Sequence, residues 1–412
     1  MLTKEFISEF AKKKSDKKIN KILSNIPHGS EPLIISELRK HLRRDIIFIA
    51  ENKKRYNQIK DILNFLNIED CHFFPEYDTN IYDRISPNKN IKSERVKSLI
   101  DLNEEKEPKL VLTTAQSSIQ YLVDKSEGLY KKLSLDKNSN YNSEDIIKFL
   151  GDNGYNKVSY VREIGDYTVR GGIIDYYSHG SKLPIRLDFF GDKLEIIREF
   201  DPITQISSKE FEYVSIYPCH EIILNKKLIE RFRSNFNQEF GSKNKESKLY
   251  ESISNSILYP GIESWLPLFC DNKSTIFDYL DNPILIIDNE IIDYLEDFEG
   301  NINSQFINRL NFDEAEKGGD KYFALKPDKI FLKLNNYKNL VNTFDTIKLT
   351  TLNSPKGTNL YGESLDSFHL TNLNNQINYE YLKDTITKNS SFNNKLILAC
   401  SSEGSKVRLI KI

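Results

Sequence analysis

Apolar residues in the first third of the chain alternate between helical spacing and short continuous runs. Residues 30–44 carry apolar side chains every three or four positions, and Ser30 stands where a helix N-cap is expected. A short apolar run at 46–50 and the segment KLVLTTA at 109–115 predict buried strands, the second of which leads into a helix at Ser117. Residues 52–66 predict another helix. Because apolar strands that are separated by helices pair in parallel, this region predicts an α/β layer.

From about residue 138 the pattern changes to closely spaced strands. Residues 157–165, 166–178 and 184–200 are predicted to form strands that follow one another closely. Short turns that contain Gly and Asp join these segments and leave no room for crossover helices. The segments therefore predict a small, mainly antiparallel module.

The α/β pattern returns from about residue 208. A helix is predicted at 226–240, and an apolar strand at 284–288 lies between two further helices. A polar region, 349–393, leads to a last predicted strand at 395–399. These segments predict a first half-domain, an inserted module, a second half-domain and a small α/β domain, at residues 1–123, 124–213, 214–345 and 346–412.

The phosphate-binding loop that many α/β folds carry is missing from the sequence. Such a loop has the pattern G-x-x-x-x-G-K-[ST], but the chain contains no Gly-Lys dipeptide, and NIPHGSEP before the first amphipathic helix holds only Gly29. The apolar strand ILIIDNE presents Asp288 and Glu290, as a magnesium-binding strand does, although a solvated acidic turn is the simpler interpretation. We therefore predict a degenerate RecA/P-loop-like parallel-sheet domain with no nucleotide cofactor.

Other catalytic and metal-binding patterns are also missing. The sequence has no G-x-S-x-G or H-E-x-x-H motif, and Ser401, Ser402 and Ser405 lack a histidine in their sequence context. No C-x-x-C pair or Cys–His ligand spacing occurs. We expect no catalytic residue and no metal, and scattered reduced thiols at Cys71, Cys219, Cys270 and Cys400.

Composition sets the class of protein. Hydrophobic residues make up 39% of the 412 positions and aromatic residues 11%, which is enough for packed cores. Lys and Arg number 58 against 60 Asp and Glu, a net charge of -2, which argues against a protein that coats nucleic acid. The sequence has no apolar run of about 18 residues and no signal-peptide pattern, so we expect a cytoplasmic protein.

The strand IRLDFFG carries the most informative side chains of the predicted module. Side chains alternate between the two faces along a strand. If Leu187 and Phe189 face the core, Phe190 therefore shares the outward face with Arg186. Arg170, next to a Gly-Gly pair that predicts a bulge or a close backbone approach, is placed on the same side. An exposed aromatic beside arginines is typical of an interface. Two alternatives remain: Phe190 packs under a loop, or the arginines grip phosphates.

Three segments resemble the bacterial transcription-repair coupling factors (the Mfd family). Residues 165–207, GDYTVRGGIIDYYSHGSKLPIRLDFFGDKLEIIREFDPITQIS, are similar to the partner-binding module that this family shares with the excision-repair protein UvrB. FFPEYDTNIYDRISPN at 73–88 and YPGIESWLPLFCDNKSTIFDYL at 259–280 resemble runs of the coupling factors, and SSEGSKVRL near the end resembles their variable domain.

The resemblance implies a UvrB-like amino-terminal region that has lost ATP binding. Its inserted module would recruit UvrA through Arg170, Arg186 and Phe190, and Arg186→Ala would abolish that binding without unfolding the chain. In the family, a carboxy-terminal domain masks this face, and RNA polymerase binding, ATP hydrolysis and DNA translocation belong to domains beyond the position of Ile412. The chain is then a fragment or a naturally short protein. An ATPase or helicase with an atypical loop, and direct binding to damaged DNA, are the alternatives.

Overall fold

The computed structural model describes residues 2, 4–11, 18–27, 29–68, 70–127, 130–241, 247–311, 320–361, 380, 383–384, 386–387 and 403–410. The chain divides into two compact units, Met1–Tyr361 and Gly362–Ile412. The strands in chain order are β1 Asn20–Ser24, β2 Ile46–Ala50, β3 Cys71–Phe74, β4 Leu110–Thr114, β5 Leu122–Val123, β6 Leu133–Asp136, β7 Asn156–Lys157, β8 Asp166–Arg170, β9 Ile173–Tyr176, β10 Ile185–Phe190, β11 Lys193–Phe200, β12 Ser207–Glu210, β13 Tyr213–Ile216, β14 Lys273–Ser274, β15 Ile284–Asp288, β16 Asp345–Leu349 and β17 Thr358–Asn359. The α-helices are α1 Lys4–Ala11, α2 Glu31–His41, α3 Lys53–Phe65, α4 Lys89–Glu104, α5 Ala115–Ile119, α6 Ser143–Asp152, α7 Lys226–Phe240, α8 Lys248–Ser254, α9 Ile291–Asn311, α10 Pro327–Ile330, α11 Leu334–Val341 and α12 Glu403–Ile410.

A seven-stranded sheet forms the centre of the first unit, in the order β17-β1-β16-β15-β2-β4-β3. All of its strand pairs are parallel. In β2, β4 and β15 every residue is buried, because helices cover both faces of the sheet. Alternate residues of these strands enter two separate apolar clusters, one on each side. The predicted parallel α/β fold is confirmed.

Sequence signals place the helices close to their predicted positions. Asn52 caps α3 by accepting a hydrogen bond from the Arg55 amide, and Asn225 caps α7 in the same way through Leu228. Ser30 precedes α2 as predicted, although its hydroxyl donates to Pro27 O (2.7 Å) and does not cap the helix. Side-chain capping therefore marks the start of α3 and α7, and apolar spacing alone predicted the position of α2.

The inserted module contains a six-stranded sheet in the order β12-β11-β10-β9-β8-β7. Every pair is antiparallel except β7 with β8. A second ladder pairs β6 with β13 antiparallel, so the segment after the predicted boundary at 213 packs with the module's first strand. The module has its own apolar cluster, which includes Leu135, Leu187 and Ile216.

Two segments that carry the family resemblance pack against each other. The hydroxyl of Ser86 donates to Glu263 Oε2 (2.9 Å) and accepts a hydrogen bond from the Gly261 amide (3.0 Å). Gly261 has a φ of +74°, and a Cβ there would lie 2.5 Å from Asp83 O. The two segments that resemble the coupling factors, 73–88 and 259–280, are therefore in direct contact in the fold.

The carboxy-terminal boundary differs from the prediction. We placed it at 345, but β16 begins there and lies between β1 and β15 in the sheet, so the first unit extends to Tyr361. The predicted strand at 395–399 lies outside the described residues. Within the described part of the chain, no helix has the length and apolar content needed to cross a bilayer.

Candidate docking face on the inserted module

Two hairpin turns lie at one end of the six-stranded sheet. Gly171 and Gly172 join β8 to β9, and Gly191 and Asp192 join β10 to β11. The residue at the first position of each turn, Gly171 or Gly191, has a φ of +60°, as a two-residue hairpin turn with Gly at this position requires. A Cβ on Gly172 would lie 2.6 Å from Phe189 O, so the predicted close backbone approach is present.

Strand pairing places Arg170, Arg186 and Phe190 on one face of this sheet. Leu187 is fully buried in the module core, so Arg186 and Asp188 point to the opposite side. Arg186 pairs with Asp175 on β9, and Asp188 pairs with Ile173, which in turn pairs with Arg170. We call the outward side of these strands, with Arg170, Asp175, Arg186, Asp188, Phe190 and Arg198, the docking face.

Phe190 is the most prominent apolar side chain of the docking face. Its side chain is 78% exposed, whereas its neighbour Phe189 packs against the module core. The alternative in which Phe190 lies under a loop is therefore wrong. Folding of the chain does not explain a large exposed ring at this position.

Arg186 is held in place by a nearly buried carboxylate. Its Nε and Nη2 donate to Asp175 Oδ1 and Oδ2 at 2.7 and 2.8 Å, and Asp175 is only 1% exposed. The guanidinium also lies 4.5 Å from the centre of the Phe200 ring. The hydrogen bonds that Arg186 donates to Asp175 raise the pKa of Arg186 above its ordinary value. Arg186 is thus a fixed, half-buried cation.

A second ion pair extends the charges across the docking face. Arg198 lies opposite Arg186, and its Nη2 donates to Asp188 Oδ2 at 2.6 Å. Sequence reasoning missed Asp175 and Arg198 as members of this face. Alternation along IIDY would have indicated Asp175, but Arg198 depends on a register shift in β11 opposite Asp188 and Phe189 that breaks the alternation.

Arg170 stands at the open end of the face. Its Nη2 donates to Ser159 O (2.6 Å), and its guanidinium lies 4.7 Å from the centre of the Tyr160 ring, which is 55% exposed. Among the described residues it has no carboxylate partner. Arg170 therefore presents a cation and an aromatic ring together.

Asp288 and Glu290, at the end of the predicted apolar strand, belong to the parallel-sheet domain and not to the inserted module. Asp288 and Glu290 line a cavity together with Glu31 and Arg55. Burial raises the pKa of Asp288 to about 6, against the lowering effect of Arg55. No group of three or more His, Cys, Asp or Glu side chains able to hold a metal ion occurs within the described part of the chain. Three cysteines, Cys71, Cys219 and Cys270, are buried and unpaired; Cys400 lies outside the described residues.

The chain is similar to one known domain family and to several longer proteins. Residues 133–221 match the family model of the UvrB interaction domain. The transcription-repair-coupling factor of Rickettsia typhi is 32% identical over 92% of this chain and 33% of its own length. The chain is homologous to the transcription-repair-coupling factors. That of Rickettsia bellii is 33% identical over 72% of this chain and 26% of its own length, and that of Escherichia coli 26% identical over 77% and 28%.

These coupling factors are much longer than the chain, which spans at most 33% of the length of the three. The matched UvrB interaction domain contains the whole docking face. Its limits agree with the β6–β13 ladder, which extends the module to both sides of the face.

Proposed function

We propose that this chain is a non-catalytic docking region that recruits UvrA to RNA polymerase stalled at a DNA lesion, in transcription-coupled nucleotide excision repair. The observation that carries the proposal is the 78% exposed Phe190 on a face with Arg170 and Arg186, inside the segment that matches the UvrB interaction domain. Aromatic and arginine side chains dominate the binding energy of many protein interfaces.

The docking face specifies what its partner must offer. An apolar pocket is needed for the ring of Phe190, and carboxylates are needed opposite Arg170, which has no carboxylate partner among the described residues. Asp175 engages Nε and Nη2 of Arg186, so Nη1 is the nitrogen left for a partner. Prior fixing of Arg186 reduces the side-chain entropy that binding costs.

We assign the contacts with RNA polymerase and DNA to those parts of the longer coupling factors that this chain does not match. The net charge of -2 supports this assignment, because tight DNA binding needs a surplus of cations at the phosphates. Recruitment of UvrA is then the contribution of the docking face to the longer protein.

The test is a titration of purified UvrA against the wild-type chain and Phe190→Ala. Loss of the ring is expected to weaken binding by about 2 kcal/mol, or roughly thirtyfold, as for a central hot-spot residue. Ile203→Ala is the matched control, because Ile203 is 89% exposed in the turn at the far end of β11. Equal weakening by both variants, or no binding by the wild type, would contradict the proposal.

A further inference from the structure

The carboxyl ends of four parallel strands surround a cavity of about 330 Å³. The loops after β1, β2, β15 and β16 contribute its lining, which includes Ile26, Glu51, Asp288 and Thr350. In open parallel sheets, ligands commonly bind at this edge, where loops and helix N-termini converge. The place is therefore the one at which this fold class would hold a phosphate group and its cation.

A carboxylate of the chain itself takes the anion position. Gly29, with a φ of +96°, donates its backbone N–H to Glu31 Oε2 at 2.7 Å. Glu31 is the first residue of α2 and is only 2% exposed. The N-terminal end of a helix favours negative charge, so this buried carboxylate receives the stabilisation that the loop and helix would give to an external anion.

A guanidinium takes the cation position beside it. Arg55, in the first turn of α3, forms a hydrogen-bonded ion pair with Glu31, and its Nε lies 3.6 Å from Asp288 Oδ2. Asp288 also accepts the Glu51 amide at 3.1 Å. The side chain of Arg55 is 8% exposed, so the three charged groups form one largely buried set.

We propose that Glu31, Arg55 and Asp288 are an internal substitute for a bound phosphate and its metal ion, which closes this cavity to nucleotides. An entering phosphate would have to displace the Glu31 carboxylate from the Gly29 amide. It would then meet Asp288, Glu51 and Glu290, which also line the cavity. The site therefore keeps its architecture and is occupied by the chain's own charges.

Anion rescue tests this occupation directly. Glu31→Ala removes the carboxylate and leaves space beside the Gly29 amide and Arg55. Its unfolding midpoint is expected to fall, and to rise again with acetate or inorganic phosphate more than with chloride at equal ionic strength. Glu37→Ala, on the same helix but at a partly exposed position, is the control and is expected to show no anion-specific rise. The wild type is expected to bind no Mg-ATP and to show no such rise.

Two further variants keep the test decisive if Glu31→Ala does not fold. Glu31→Gln preserves the size of the side chain and is expected to lower the midpoint less. The double variant Glu31→Gln, Arg55→Met is expected to lose less stability than the sum of the two single variants. The reason is that removing both partners of the ion pair leaves neither charge buried without its partner. Additive losses, an absence of anion rescue, or Mg-ATP binding by the wild type would overturn the proposal. UvrA binding is expected to stay unchanged in all of these variants.

Discussion

At the scale of single residues, the docking face contains a side chain that is exposed and one that also stabilises the fold. A substitution that reduces binding therefore has a different meaning at each of them. Phe190 is exposed and supports nothing beneath it, whereas Arg186 neutralises a carboxylate that is 1% exposed. We expected Arg186→Ala to leave the fold intact. The structure gives a physical reason to revise that expectation, because the variant would strand Asp175 without its partner.

We predict that Arg186→Ala lowers the free energy of unfolding by about 3 kcal/mol, as for the loss of one partner from a largely buried ion pair. Urea denaturation at pH 7 measures this change. Phe190→Ala is expected to remain within about 0.5 kcal/mol of the wild type, as an exposed substitution does.

The companion variant is Asp175→Ala together with Arg186→Ala, which removes both charges. It is expected to lose less stability than the two single variants combined, since the buried carboxylate is no longer stranded. Equal stability of Arg186→Ala and the wild type would show that water, rather than Arg186, satisfies Asp175.

At the scale of elements, hairpin geometry brings the docking residues together. The turns at Gly171 and Gly191 lie at the same end of the sheet, and the strand pairing sets Arg170 near Asp188 through Ile173. Register in β11 shifts twice, and Leu194, Ile197 and Phe200 are buried at a spacing of three. Strict alternation from Leu194 would have put Arg198 on the core side.

We predict that Gly172→Ala costs about 1–3 kcal/mol of stability, because its Cβ would lie 2.6 Å from the backbone oxygen of Phe189. It is also expected to weaken UvrA binding by shifting the adjacent Phe190. Thermal unfolding and the UvrA titration measure the two effects.

Gly151→Ala is the matched control for that substitution. Gly151 lies in α6, and a Cβ there would meet no atom within 4 Å, so alanine is expected to raise stability by up to about 1 kcal/mol. A loss of stability in this control, equal to that of Gly172→Ala, would contradict the role of the close approach.

At the scale of the whole first unit, a buried ion pair joins the end of the module to α4 of the parallel-sheet domain. Arg95 is fully buried, with its Nε 2.6 Å from Glu221 Oε1. Next to this pair, His220 Nδ1 lies 3.2 Å from Lys92 Nζ, and Lys92 Nζ lies 3.1 Å from Glu263. Burial, with smaller contributions from Lys92 and Lys89, lowers the pKa of His220 to about 3.

This joint predicts a loss of stability in mild acid. In the unfolded chain, His220 takes up a proton when the pH falls below its ordinary pKa of about 6.5. In the folded chain it stays neutral until the pH approaches its lowered pKa of about 3. Its contribution is therefore complete above about pH 6.5 and falls as the pH decreases, by about 2 kcal/mol at pH 5.

Unfolding free energies of the wild type and His220→Gln between pH 7 and pH 5 measure this dependence. The variant is expected to start lower, because it loses packing against Gly154, but to show a shallower fall. His41→Gln, at an exposed position on α2, is the control and should keep the wild-type slope. Parallel curves for all three chains would exclude His220 as the source.

The sequence alone determined the α/β class, the inserted antiparallel module, most helix positions and the outward placement of Arg186 and Phe190. These follow from apolar periodicity, capping residues and alternation, which act between near neighbours. The family likeness of residues 165–207 indicated Arg170, Arg186 and Phe190 as candidate docking residues.

Tertiary structure decided everything that depends on pairing between distant segments. It placed β16 in the sheet, although we had set the boundary at 345, and it paired β6 with β13 across the module. It also placed Asp175 next to Arg186. The carboxylate of Glu31 accepts a hydrogen bond from Gly29, in the loop that lacks the phosphate-binding motif. Strand register and buried ion pairs are long-range choices, because each depends on which surfaces meet rather than on the local residue pattern.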